Sequence, residues 1–396
     1  MKNSNLNQIM KIISLTNCTG CSACYSVCPK SAISMAENDE GFFYPKIDEN
    51  KCVECRLCEK VCPAISPLEL QRTDLKSFAV INNDESIRLD SSSGGVFTAI
   101  AEKILKTGGK VFGAKFSDDF SIIHSWTDNS DGLKDFRGSK YVQSVINDTF
   151  KDCENFLKAG DNVLFTGTPC QIQGLKKFLR KDYDNLLTVD LICHGVPSIL
   201  MWKKYIEFHE KRVGSKVVKT AFRRKDCGWK QFSLWFAFAN HSEYSEVQQK
   251  GAWMLTFNKN IMMRKSCYKC PAKGCNIVSD ITIGDFWGIR NYMTEDDDKG
   301  TSIIYVNTQK GSEYLNNIAE KLTLTEIKDY DALKYNTQLL KSIPYNPNRT
   351  KFIELCKRTD FDTAFKKFVR DSFFIRVYQQ MRHTAKIVLV KIGILK

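Results

Sequence analysis

At 396 residues the chain is long enough for two or three domains with a sizeable buried core. Its 43% hydrophobic and 26% charged residues are near the globular average, which excludes a disordered or collagen-like chain. Two counts stand out against that background, a formal net charge of +13 and 16 cysteines. The N-terminal stretch MKNSNLNQIMKIISL is short and polar, without the apolar core of a secretory signal. The expected location is the cytoplasm, where thiols stay reduced and cysteine clusters indicate metal or catalysis rather than disulfides.

The first 66 residues hold an internal repeat. Cys18, Cys21, Cys24 and Cys28-Pro29 have the spacing C-x2-C-x2-C-x3-C-P, and Cys52, Cys55, Cys58 and Cys62-Pro63 repeat it 34 residues later. A cubane 4Fe–4S cluster needs four converging thiolates. The tight triplet supplies three from one loop, and the fourth comes from the other repeat. The spacing assigns Cys18, Cys21, Cys24 and Cys62 to one cluster, and Cys52, Cys55, Cys58 and Cys28 to the other. Zinc favours two ligand pairs across a longer gap. The repeat resembles bacterial-type two-cluster ferredoxin domains, which pass single electrons.

A Pro-punctuated exit, PAISPLEL, leads to a second domain near Ser77. Strands are expected over 78–81, 110–116, 163–166, 186–192, 280–285 and 302–307, with 220–223 and 232–239 paired. Helices are expected over 97–105, 171–180, 199–212 and about 311–322. Strands alternating with helices indicate α/β layers. The small residues Ser91–Gly95 before the first of these helices form either an anion cradle of free N–H groups or an ordinary cap. No G-x-G-x-x-G follows a strand, so an ordinary dinucleotide fold is not indicated.

Eight cysteines lie beyond the repeat. Cys170 and Cys193 sit at matching strand-to-helix turns, which share one edge of a parallel sheet. Cys267 and Cys270 form a C-x2-C pair, with Cys275 close behind. Four of these thiols can converge on a third cluster, with Cys275 as a substitute for Cys170; scattered buried thiols are the alternative. His194 is either a proton donor or a structural histidine. Trp229, Phe286 and Trp287 either stack on an aromatic ligand or belong to the core.

SSSGGVFTAIA, FRGSKYVQS, FTGTPCQIQGLK, CHGVPS, CYKCP and SDITIGDFWGI occur in this order over residues 77–370. Together they resemble the beta-subunit family of coenzyme F420-reducing hydrogenases and dehydrogenases and its bacterial relatives. The resemblance implies an iron–sulfur flavoprotein oxidoreductase whose body carries FAD and one 4Fe–4S cluster. It implies Cys170, Cys193, Cys267 and Cys270 as the cluster ligands. It places Ser92, Ser93, Gly94, Gly95, Gly138, Lys140, Tyr141 and Thr168 at the flavin, with Ser92–Gly95 on the pyrophosphate. His194 is the candidate catalytic residue. The substrate is F420 or another two-electron compound, for example one in polysaccharide synthesis. A non-catalytic relay subunit is the alternative.

The +9 charge of residues 341–396 dominates the basicity, against −1 for residues 1–75. The stretch 361–396 mixes apolar and basic residues at helical spacing. It reads as surface helices with a solvated basic face, or as a dock for an anionic membrane or a redox partner. It is too short in apolar run to span a bilayer and lacks a nucleic-acid module. The expected architecture is α+β to α/β: a ferredoxin domain (1–66), an α/β flavin and cluster body (77–340), and a basic helical extension (341–396). The expected partners are a small electron carrier or redox protein and a small-molecule substrate.

Overall fold

The computed structural model describes residues 17–69, 76–292, 296–327 and 330–370. The cysteine repeat folds into two short helices, Ala23–Val27 and Leu57–Lys60, and an antiparallel pair, β1 (Ile33–Glu37) and β2 (Phe43–Ile47). The sequence repeat is also a backbone repeat. Left-handed φ angles occur at Gly20 (72°) and Ser22 (63°), and again 34 residues later at Glu54 (54°) and Arg56 (58°). These turns flank Cys21 and Cys55 and curl each triplet around a common centre. A side chain at Glu54 in this region is strained, where the first repeat uses glycine.

The body is built on a nine-stranded mixed sheet. Its first strands in chain order are β3 (Lys76–Asn82), β4 (Lys110–Phe116), β5 (Ile122–Thr127), β6 (Ser144–Val145), β7 (Val163–Gly167) and β8 (Leu186–Leu191). A separate antiparallel sheet follows, of β9 (Val217–Arg224), β10 (Ser233–Phe238) and β11 (Glu243–Val247). The chain then returns to the large sheet as β12 (Ile281–Asp285), β13 (Ser302–Val306) and β14 (Leu322–Glu326). The spatial order is β14-β3-β13-β12-β8-β7-β4-β5-β6, with a parallel centre, β12-β8-β7-β4.

Successive strand residues point to opposite faces. Val111, Leu164 and Leu187 pack with the helix Val96–Lys106 on one face. Phe112, Val163, Phe165 and Leu186 pack on the other with Ile172 and Leu175 of the helix Pro169–Leu179. Cys21, Ala23 and Val61 of the cysteine repeat complete that second core. The repeat is therefore seated on the sheet's covering helix.

Expectation and structure part at several places. The helix expected over 311–322 is Gln309–Asn316, and β14 follows it as an antiparallel edge. Strands β5, β6 and β11 carry weak sequence signals and were not expected. The C-terminal segment to residue 370 is not a separate extension. Helices Arg349–Arg358 and Phe361–Phe368 bury Phe352, Ile353 and Phe361 against Trp202, Tyr205 and Trp253. The rest of the expected tail, 371–396, lies outside the described residues. Among the described residues no helix is long and apolar enough to cross a membrane.

Arg349, fully buried, donates two hydrogen bonds to the Glu40 carboxylate (2.9 and 2.7 Å) and one to Met263 O (2.7 Å). Burial pushes the Glu40 carboxyl up, but the bonds and charge of Arg349 outweigh it and the net direction is down. A depressed carboxylate stabilises the fold above its unfolded pKa, about 4.3, and loses that contribution as pH falls through the folded value. Glu40→Gln should cost about 3 kcal/mol in urea unfolding at pH 7, because it strands a buried charge. The gap between variant and wild type should narrow below about pH 4.

Candidate functional site

The inner thiol set lies where the repeat meets the body. The Cys24 thiol is pushed well up by burial and by the charges of Cys21, Cys18, Cys62 and Cys58 in turn. Burial pushes Cys21 up to about 12, and Cys62 and Cys18 add to it. Cys18, Cys21, Cys24 and Cys62 are thus mutual neighbours, as the swapped repeat requires. The outer set is more open. Cys28, Cys52, Cys55 and Cys58 line one small cavity, and Cys55 is exposed. The Cys24–Cys58 coupling puts the two sets side by side.

A third set assembles at the sheet's C-terminal edge. Cys170 follows β7 at the start of the helix Pro169–Leu179, where Pro169 suits the first helical position and Gln171 Oε1 accepts from Thr168 N–H (2.9 Å). Cys193 follows β8, and Cys267 and Cys270 come from the turn after the helix Ala252–Asn258. Burial raises the Cys170 thiol well above its ordinary value, and Cys270, Cys193 and Cys267 raise it further. Burial likewise takes Cys267 up to about 12 and Cys193 up to about 11. Val196 N–H donates to Cys267 Sγ (3.4 Å), and Lys273 Nζ donates to Cys193 O. The side chain of Cys275 lies outside the described residues. Among the described residues no group of three His, Cys, Asp or Glu is placed to hold a single metal ion. Thiols this buried are proton-bound without metal, so metal binding must displace protons.

A cavity of about 310 Å³ opens beside the third set, within the range of ligand sites. Ser92, Ser93, Gly95, Gly138, Lys140, Tyr141, Thr168, Cys193 and His194 all line it. Gly94 does not. A Cβ there would lie 2.2 Å from Val80 O, and its N–H is used by Ser302 Oγ (2.9 Å), so it serves close packing. Ser92 Oγ accepts from Ser139 N–H (2.6 Å), and Ser93 Oγ donates to Thr301 O (2.8 Å). Lys140 Nζ donates to Asp135 O and Arg137 O (2.7 and 2.9 Å), and burial brings its ammonium down to about 7. His194 Nε2 donates to Asn260 Oδ1 (2.6 Å), its ring rests on Phe257, and burial lowers its pKa. Trp229 and Trp287 stack on each other (5.0 Å), and Trp229 Nε1–H donates to Asp285. Neither they nor the buried Phe286 line the cavity.

Sequence reasoning missed several polar residues here. Arg223 is buried, forms an ion pair with Asp285 (2.8 Å), and donates to Tyr141 Oη (3.0 Å) and Ser92 O (2.9 Å). Arg264 is buried against the inner set. His124 lines the cavity, and burial keeps it neutral, down to about 4. Nothing local marks these residues.

The parallel sheet edge, the swapped thiol repeat and a third thiol set define an iron–sulfur protein of the oxidoreductase class. Residues 160–330 match the family described as the C terminus of the coenzyme F420 hydrogenase/dehydrogenase beta subunit, and residues 17–65 match the 4Fe-4S dicluster domain. The chain thus matches that beta-subunit family over its central part, behind a dicluster domain on its N-terminal side. It is similar to the F subunit of the F(420)H(2) dehydrogenase of Methanosarcina mazei, 18% identical over 372 residues, covering 91% of this chain and 98% of that protein. It is 23% identical over 228 residues to the coenzyme F420 hydrogenase subunit beta of Methanococcus voltae, covering 56% of this chain and 72% of that protein. It is 27% identical over 202 residues to the coenzyme F420-dependent sulfite reductase of Methanocaldococcus jannaschii, covering 50% of this chain but 31% of that protein. A chain of the F420-reducing NiFe hydrogenase complex from Methanosarcina barkeri aligns with a TM-score of 0.47 at 18% identity, over 77% of this chain and 98% of that one.

A Cβ at Gly174 would lie 2.8 Å from Cys21 Sγ. Gly174→Ala should therefore displace one inner ligand. The expected result is a loss of about four irons per chain, one cubane's worth, with the visible iron–sulfur absorbance falling in proportion. Full iron content in the variant would refute this account of the contact.

Proposed function

We propose that this chain is an electron-transferring oxidoreductase. It carries single electrons from an exposed entry to a cofactor cavity at the sheet edge. The observation that carries this reading is the spatial succession of the thiol sets. Cys55 is exposed, with the apolar Val53 and Ile65 also exposed on the same module, which suits docking of a redox protein. The outer set adjoins the inner set through Cys58 and Cys24. Cys21 Sγ lies 2.8 Å from where a Cβ on Gly174 would sit, and Gly174 is four residues, about 6 Å along the helix, from Cys170. Cys193, in the third set, is also part of the cavity wall. Three 4Fe–4S clusters on these twelve thiols form a continuous path.

The cavity residues suit an FAD. When bound, that flavin supplies the exchange between one-electron and two-electron chemistry. Around it, Gly95 (φ 82°) starts the helix Val96–Lys106 and leaves first-turn N–H groups for a phosphate. Lys140 is held beside that edge by two carbonyls, and Arg223 fixes Tyr141 and the Ser92 backbone together. His194 is oriented by Asn260 at the cavity wall, where it can place or protonate a substrate. The family and the relatives' names point to coenzyme F420, or a related two-electron carrier, as the partner.

A relay-subunit reading also has support. Two of the relatives are named as subunits, and the exposed Cys55 face suits a protein partner. Anaerobic purification with metal and flavin counts separates the readings. About twelve irons and one FAD per chain are expected for the enzyme. Twelve irons without flavin would leave the relay. Cys267→Ser should lower the count to about eight while the ferredoxin-type signals persist; unchanged iron would remove the third cluster from the account.

A further inference from the structure

Arg264 is fully buried, yet every partner it has among the described residues is neutral or a thiol. Its Nε donates to Cys18 O (2.7 Å), Nη1 to Gln143 Oε1 (3.0 Å) and Nη2 to Phe43 O (3.0 Å). Nη2 also lies 3.6 Å from Cys18 Sγ, and the guanidinium stands over the Tyr44 ring at 4.2 Å. Gln143 in turn donates to Thr19 O (3.0 Å), which fixes the fork's orientation. Nearby Glu40 is committed to Arg349. A dry guanidinium without a counter-charge is strongly unfavourable. The negative charge that completes this site is that of the inner cluster and its thiolates.

The two ferredoxin-type sets differ in this respect. The outer Cys58 is raised by burial and then by the Glu59 carboxylate. The inner set is enclosed, and a low dielectric makes a cluster harder to reduce, because reduction adds negative charge. Burial alone would stall an electron on the exposed outer cluster. A cation hydrogen-bonded to a ligand sulfur acts in the opposite sense.

We propose that Arg264 is a positioning residue for the inner cluster: it is that cluster's counter-ion and raises its reduction potential, so that an electron moves inward from the outer cluster. The step is a one-electron exchange. The outer cluster is oxidised by one electron and the inner is reduced by one, with no bond made and no proton moved. The electron originates from a low-potential one-electron donor. This inference rests on reading Cys18, Cys21, Cys24 and Cys62 as one cluster.

The test is a dithionite titration of the full chain followed by EPR, with iron counted on each sample. Cys55→Ala, which removes the outer signal, identifies the inner one. Arg264→Met should shift the electron's distribution at least tenfold away from the inner cluster, 59 mV downward for one electron. The outer and third signals should move less. Arg264→Lys, which keeps the charge without the fork, should restore part of the shift. If Arg264→Met does not retain iron, Gln143→Glu decides: its carboxylate neutralises Arg264 in place and should also lower the inner potential. Full iron with an unmoved inner potential overturns the inference. Wild-type protein with no cluster on the Cys18 set would overturn the underlying reading instead.

Discussion

Everything in this molecule is arranged around the cost of crowding thiols in a protein interior. Cys21 and Cys24 crowd together in one set, and Cys170, Cys193 and Cys267 in another, and desolvation drives each towards its protonated form. Only a metal core makes such an assembly favourable as thiolate. The left-handed turns at Gly20, Ser22, Glu54 and Arg56, the glycine at 174 and the parallel strands that end beside Cys170 and Cys193 all answer that one requirement.

The same requirement explains the shape of the charge. A cubane with four thiolates carries about −2 when oxidised, so the two of a dicluster domain offset about 4 of the +13 formal charge. Two of the basic residues are spent at the thiol sets. Arg264 faces Cys18, and Lys273 holds the Cys193 carbonyl. Positive charge in this chain is therefore partly turned inward, towards its thiol sets.

The cysteines were legible because a repeat with strict spacing leaves few foldings open, and the structure brings each predicted set together. The α/β body and the parallel centre were legible from long apolar strands such as β7 and β8. Other features were not. Strand β14 is short and half polar, and it exists because β3 offers it an open edge. Arg223 and Arg264 look like ordinary basic residues until strands and turns far apart in sequence enclose them. Gly94 carried a phosphate-site signal, but its role is decided by the Val80 carbonyl pressed against it. Pairings of this kind are tertiary, and local pattern does not encode them.

The contact between Glu40 and Arg349 spans 309 residues of sequence. It joins the loop between β1 and β2 to a helix whose apolar side also completes the core around Trp202 and Trp253. The cysteine repeat leaves the ribosome ahead of the body, yet its seat is closed by nearly the last helix described. During synthesis that seat stays open until some three hundred further residues have been added. The chain's order of manufacture and its order of completion run in opposite directions.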